Sequence, residues 1–195
     1  MDSGYDVGFR QGIDTSSRLK QLYEQIDYFY RKAATQSAFS CHGCDGAKCC
    51  TVDLIVHTSA EMLYMRRGLG ALNPSTKLEI KKRSKHIVEL KRLDYLGEYR
   101  NSVCAANFDG KCRIYDYRPM ICRLAGIPHF IDKPNGTRIF GPGCDRFELG
   151  ASEGKTVEKI DRTPFYNKLA EMEIEVINNQ GRRTPSLTIA EILAT

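Results

Sequence analysis

Apolar residues fall at three- and four-residue steps over residues 16–37: Leu19, Leu22, Tyr23, Ile26, Phe29, Tyr30 and Ala33. That spacing puts them on one face of an amphipathic helix. The polar, Gly-containing residues before it predict a frayed start. A short apolar run at 52–56 predicts a strand or extended segment. Thr58 and Glu61 form a capping-box signature. It opens a short helix through Met62, Leu63 and Met65, which Gly68 and Gly70 end. Asn73-Pro74 places proline at the first position of a further helix. That helix is expected to reach about residue 98, with Leu78, Ile80, Ile87, Leu90, Leu93 and Leu96 as its apolar stripe.

The pattern then changes. Asp109-Gly110 is a two-residue hairpin signal between 103–108 and 112–115. Pro134-Asn135-Gly136 predicts a second turn, between 127–131 and 138–140. Thr163-Pro164 opens another helix, with Phe165, Leu169, Met172, Ile174, Val176 and Ile177 among its apolar residues, and Gly181 stops it. Residues 187–193 predict a last short helix. The expected fold class is α+β, mostly helical, with a small hairpin-based β-core carrying the cysteines. A chain of 195 residues is long enough for a full hydrophobic core. Residues 1–195 are therefore expected to form one domain, with a cysteine-bearing region at 41–144 and a helical segment at 155–195.

The eight cysteines change this picture most. Cys41, Cys44, Cys49 and Cys50 read C-x2-C-x4-C-C, in a segment with two glycines and almost no aliphatic residues. Such a segment buries little, and a bound metal would order it. Cys104, Cys112, Cys122 and Cys144 follow after the long helix. A thiolate is a soft anionic ligand suited to zinc and iron–sulfur clusters. A C-x2-C pair lets both sulfurs reach one ion. The spacing matches neither the zinc-ribbon repeat nor the ferredoxin runs. All eight are candidate ligands, for one site or two, with Zn²⁺ or a 4Fe-4S cluster as the cofactor. Neighbouring side chains in extended chain point opposite ways, so Cys49 and Cys50 either share a site or divide between two. Cys41-His42-Gly43-Cys44 also reads as a thioredoxin-like pair, but Asp45-Gly46 would break the helix such a pair needs. Of His42, His57, His86 and His129, only His42 sits inside the cysteine segment.

Charge and compartment narrow the reading. The opening residues carry no apolar run suited to a signal peptide, and no stretch approaches the ~20 apolar residues of a membrane span. The expected setting is a reducing cytoplasm, where disulfides are rare. Net charge is +5. Lys77, Lys81, Lys82, Arg83, Lys85, Lys91 and Arg92 line one face of the long helix. That face reads as a solvated surface eased by Glu79, Glu89 and Asp94, and nucleic acid is not the expected partner. Four thiolates around Zn²⁺, or around a cluster in its 2+ state, leave a charge of roughly −2. Arg113, Arg118, Arg123 and Arg146 lie close to cysteines in sequence. Arg118 and Arg123 are the candidate counter-charges for the cofactor. Surface ion pairs with Asp109, Asp116 or Asp145 are the alternative.

Cys112-Arg113-Ile114-Tyr115-Asp116-Tyr117-Arg118-Pro119-Met120-Ile121-Cys122-Arg123, taken with the upstream C-x2-C and C-C, resembles a known family. This is the cysteine-cluster family described as a zinc- or iron-chelating domain, to which flagellin lysine N-methylase is related. The resemblance covers residues 41–144. One departure is the four-residue spacer Asp45-Gly46-Ala47-Lys48, where the family's compact motif has two. Three functions follow as expectations. The first is a metal-binding protein with a structural or redox role. The second is an S-adenosylmethionine-dependent lysine N-methyltransferase-like enzyme, although no convincing Gly-rich cofactor loop is present. The third is a zinc-stapled nucleic-acid-binding module. Partners beyond the metal or cluster would be a protein or substrate, with no membrane.

Overall fold

Burial in the first helix follows the period that its sequence predicts. The computed structural model describes residues 15–36, 48–50, 55–93, 102–144, 147, 159–181 and 185–195. Helix α1 (Thr15–Gln36) buries Leu19, Leu22, Tyr23, Ile26 and Ala33. Phe29, assigned to that stripe from the sequence, is instead exposed, with its ring 5.8 Å from that of Phe165. Helix α2 (Ser59–Gly70) starts with the expected capping box: Thr58 accepts from the Glu61 backbone, and the Glu61 carboxylate accepts from Thr58. Helix α3 (Pro74–Leu93) follows. Its buried line is Ile80, Ser84 and Ile87, while Leu78 and Leu93 face solvent. The expected extension to 98, with Leu96, lies outside the described residues.

Two hairpins come next, each with the turn that its sequence predicts. In β1 (Asn107–Phe108) and β2 (Lys111–Cys112), Asn107 pairs with Cys112 and Phe108 with Lys111. Asp109 and Gly110 both take positive φ, 52° and 77°, as a type I′ turn requires. A 3₁₀ turn (Tyr115–Tyr117) leads into the short helix α4 (Met120–Leu124). Strands β3 (His129–Asp132) and β4 (Arg138–Gly141) pair antiparallel. A pairing with no sequence signal adds β5 (Ile160–Asp161) parallel to β3. Helix α5 (Thr163–Gln180) and helix α6 (Ile189–Ala194) complete the chain. Helix α6 has its own capping box, Thr188 with Glu191. The fold is mostly helical α+β. The strands are half-buried to exposed, apart from Asn107 and Ile160. They lie on the helices rather than at the centre. Among the described residues, no helix is long and apolar enough to cross a membrane.

Helix α2 joins two apolar clusters. Ala60 and Tyr64 pack with α1, α4 and α5 around Tyr23, Leu124 and Leu169. Met62, Met65 and Leu69 pack with α3 and α6 around Ile80, Ala106 and Leu193. Tyr117 packs against both. Its ring lies on Gly68, where an added Cβ would stand 2.5 Å from Tyr117 Cγ. Alanine normally favours a helix over glycine by ~1 kcal/mol. Here the overlap should outweigh that gain, and Gly68→Ala is expected to destabilise by about 1–3 kcal/mol in chemical denaturation. A stabilised variant would mean that Tyr117 moves aside freely.

The basic face of α3 is partly used inside the molecule. Arg83 donates to the Asn107 carbonyl at 2.8 Å and lies 4.6 Å from the centre of the Phe108 ring. Lys91 pairs with Glu191 at 2.9 Å, and Lys81 donates to the Thr195 carbonyl. These contacts clamp the first hairpin and α6 onto α3.

Candidate functional site

Backbone hydrogen bonds bring the two cysteine segments together. Cys49 and Cys50 sit in a 3₁₀ turn (Lys48–Cys50). The Cys104 N–H donates to the Cys50 carbonyl at 2.7 Å. The Cys104 carbonyl in turn accepts from Asn107 N–H at 2.9 Å, and Asn107 stands across the hairpin from Cys112. Pro119 caps α4, where its fixed φ is already compatible with the approach. Cys122 is the third residue of that helix, and its N–H bonds to the Pro119 carbonyl at 3.1 Å. Cys50, Cys104, Cys112 and Cys122 thus line one cavity of about 920 Å³, with Cys49 and Arg118.

The thiols feel one another and Arg118. The hydrogen bond from Cys49, then that from the Asn107 side chain and the Arg118 charge, outweigh burial and bring Cys50 from its ordinary 9.0 to about 6. Burial pushes Cys122 far above the ordinary range, and charge on Cys104, Cys50 and Cys112 pushes it further. Burial also raises Cys112, with a contribution from Cys50. Four cysteines therefore face one low-dielectric space. A cation there would relieve both the desolvation and the mutual repulsion. In donor chemistry the set fits a soft metal. Among the described residues, no three His, Cys, Asp or Glu side chains already stand as a group that could hold an ion. Cys41, Cys44 and His42 lie outside the described residues.

The remaining candidates separate. Arg118 lines the cavity, and its charge lowers Cys50 and opposes the rise at Cys112 and Cys122. Its Nε donates to the Tyr115 carbonyl at 3.0 Å, with the guanidinium 3.5 Å from that ring's centre. Arg123 is turned to other work. It is buried and pairs with Asp27 at 2.6 Å, donates to the Arg118 and Asp116 carbonyls, and stacks on Tyr23. It ties α4 to α1. Cys144 packs against the α1–α5 cluster, and its N–H donates to the Gly126 carbonyl. Arg113 lies over Phe108, 5.2 Å from the ring centre, and Arg146 lies outside the described residues.

Two histidines set aside in the sequence reading also line the cavity. His129 has Nδ1 2.9 Å from the Ile127 carbonyl, so that nitrogen carries the proton. Burial and Arg162 lower its pKa. Its ring lies over Gly141, where a Cβ would stand 2.2 Å from Nε2. His57 is buried, with Nδ1 3.6 Å from Glu61 Oε2 and no hydrogen-bond partner at Nε2. Glu61 is a buried junction. Its carboxylate accepts from Met120 N–H at 2.9 Å, from Tyr23 Oη at 3.3 Å and from Thr58 N–H at 3.3 Å. Met120 is the first residue of α4, so the same carboxylate that caps α2 also caps the helix bearing Cys122. The capping-box signature marks Glu61 as an α2 residue, while its bond to Met120 spans 59 positions and leaves no local trace.

No curated protein and no solved structure matches the chain. A family match does cover residues 40–138, half of the chain, and includes seven of the eight cysteines and the arginine-proline turn before Cys122. The chain thus belongs to the CxxCxxCC family, described as a "Putative zinc- or iron-chelating domain".

Proposed function

We propose that Cys50, Cys104, Cys112 and Cys122 supply thiolates to one metal centre, with Cys41, Cys44 and Cys49 completing the ligand set beside them. The observation that carries this reading is that Cys50, Cys104, Cys112 and Cys122 line one cavity beside Arg118. Zinc would order the two cysteine segments, whereas a 4Fe-4S cluster would also carry an electron. Arg118 offsets the net negative charge of the loaded site. Pro119 and the Glu61 cap hold α4 so that Cys122 meets the hairpin cysteines. In a cytoplasmic setting the thiols would stay reduced and available.

Zinc, iron and acid-labile sulfide, measured on one anaerobic preparation with its visible spectrum, test this directly. About one zinc, or about four iron with equal sulfide, per chain is the expected result. A colourless, metal-free and folded protein would overturn it.

A second reading, methyl transfer from S-adenosylmethionine to a lysine, is favoured by the size of the cavity. A volume of 920 Å³ falls in the range of ligand pockets, ~300–1,000 Å³. A single ion needs little more than a water's share, ~30 Å³. Calorimetry with the methyl donor tests it, and absence of binding removes it.

A further inference from the structure

His129, the first residue of β3, lines the cavity and is half-buried. Each side of its ring has a different neighbour. The Nδ1 edge meets the carbonyl of Ile127 at 2.9 Å, and Ile127 is buried in the α1–α5 cluster. A carbonyl only accepts, so Nδ1 carries the proton of the neutral ring and Nε2 keeps a lone pair. Burial, and then the Arg162 charge, lower the pKa of His129, in keeping with a neutral ring. Gly141, its partner in the β3–β4 pairing, packs on the ring. A Cβ on Gly141 would stand 2.2, 2.5 and 2.8 Å from Nε2, Cε1 and Cδ2. Distances this close together put that Cβ over the face of the ring. An atom in the ring plane, along the lone pair, would stand distinctly farther from both carbons. Gly141 therefore leaves the lone pair clear, and among the described residues no group donates to it. The wall beside the ring is flat, because Gly126, Gly141, Pro142 and Gly143 line it with little or no side chain. Gly143 holds φ at 89°, and a Cβ there would meet the Gly126 carbonyl at 2.9 Å. Ile121 and Ala125 add apolar surface.

We propose that the cavity carries a small-molecule subsite in which His129 Nε2 accepts a hydrogen bond from an uncharged, planar ligand bearing an N–H or O–H donor. The cavity's 920 Å³ leaves room for a ring system beside an ion. The glycine-rich wall admits a flat face, and the apolar side chains match the body of such a ring. Nε2 sets the polar requirement. A ligand without a donor would desolvate the lone pair and give nothing in return, and one that placed an acceptor there would be repelled. The subsite is built from β3, the end of β4 and the turn after it, so it stands whether or not the cysteines hold a metal.

Full-length protein, with its metal content measured, is titrated with indole and with benzofuran, which has the same shape but an oxygen in place of the N–H. Indole is expected to bind about 5- to 10-fold more tightly, the worth of one hydrogen bond. In protein carrying ¹⁵N-labelled histidine, indole should shift the His129 Nε2 resonance, and benzofuran should shift it far less. His129→Phe keeps a flat ring without the acceptor and should bind the two probes equally. His129→Gln, which sets an oxygen near the Nε2 position, should restore part of the preference. Equal affinities in wild type, binding of neither probe, or a preference that survives in His129→Phe would each overturn the subsite. If His129→Phe fails to fold, the wild-type pair of affinities and the Nε2 resonance decide alone. Folded, metal-free protein that still prefers indole would overturn the metal-centre reading and leave this one standing.

Discussion

Glu61→Ala should be the most damaging single substitution outside the cysteines, costing about 3–5 kcal/mol of stability in urea denaturation. The Glu61 residue is only 4% exposed, and its carboxylate serves four partners at once. Removing it leaves Met120 and Thr58 N–H groups buried without acceptors, each a desolvation cost of about 1–3 kcal/mol. It also strips His57 of its facing charge. Glu61→Gln keeps an oxygen for Met120 and should fall between wild type and alanine. The pH dependence has a definite sign. Burial alone would raise the Glu61 pKa, but the hydrogen bond and charge of His57, with the N–H groups of Met120 and Thr58, bring it below 4.5. A carboxylate depressed on folding stabilises fully above its unfolded pKa, about 4.3. That stability is lost as pH falls through the lower folded value. Wild type should therefore lose stability below about pH 4 in a way that Glu61→Ala does not. An alanine variant within 1 kcal/mol of wild type, about the worth of one ordinary hydrogen bond, would show that the junction carries little.

The helices were legible because each is set by local rules. The 3.6-residue period marked α1, Pro74 opened α3, and Asp109-Gly110 announced the first hairpin. What escaped was set by partners far along the chain. Leu78 fits the apolar stripe by spacing, yet it faces solvent. Helix α3 meets α6 along the Ile80–Ser84–Ile87 line instead. Strand β5 is a two-residue parallel pairing in which Ile160 N–H donates to the Pro128 carbonyl and the following Arg162 N–H to that of Phe130, and no periodicity extends over so short a piece.

The candidate site divides in the same way. The arginine-proline turn between Cys112 and Cys122 was visible as a motif, and it does bring Arg118 to the cavity. Arg123 is one residue from Cys122 in sequence, yet its side chain is engaged elsewhere. On a helix, adjacent residues point about 100° apart, since 3.6 residues make a turn. Cys122 therefore turns to the cavity while Arg123 turns to Asp27 and Tyr23 on α1. His57 carried no sequence signal, because its partner Glu61 reads locally as a helix cap.

Cys122→Ser and Cys144→Ser should part sharply, although both remove one sulfur from the same family region or its margin. Cys122 lines the same cavity as Cys50, Cys104 and Cys112, and burial, with charge on those three, raises its pKa. A serine hydroxyl is a hard ligand that stays protonated, so it cannot replace a soft thiolate. Loss of that proposed ligand should weaken zinc or cobalt binding by about 100-fold or more, beyond the ~10- to 100-fold typical of a lost outer partner. Cys144 is seated differently. Its side chain fills a gap beside the α1–α5 cluster, and its backbone is pinned to Gly126. Serine there should cost about 1 kcal/mol of stability by burying a hydroxyl, while metal affinity stays within about threefold, under 1 kcal/mol. Competition with a chelator of known affinity, run beside urea denaturation, separates the two effects. Equal loss of metal from both variants would place Cys144 in the coordination shell and require the β4 end to swing toward the cavity. Retention in Cys144→Ser with loss in Cys122→Ser would instead make the α4 cysteine the link by which the helical half of the fold senses the metal, through the same helix that Glu61 caps.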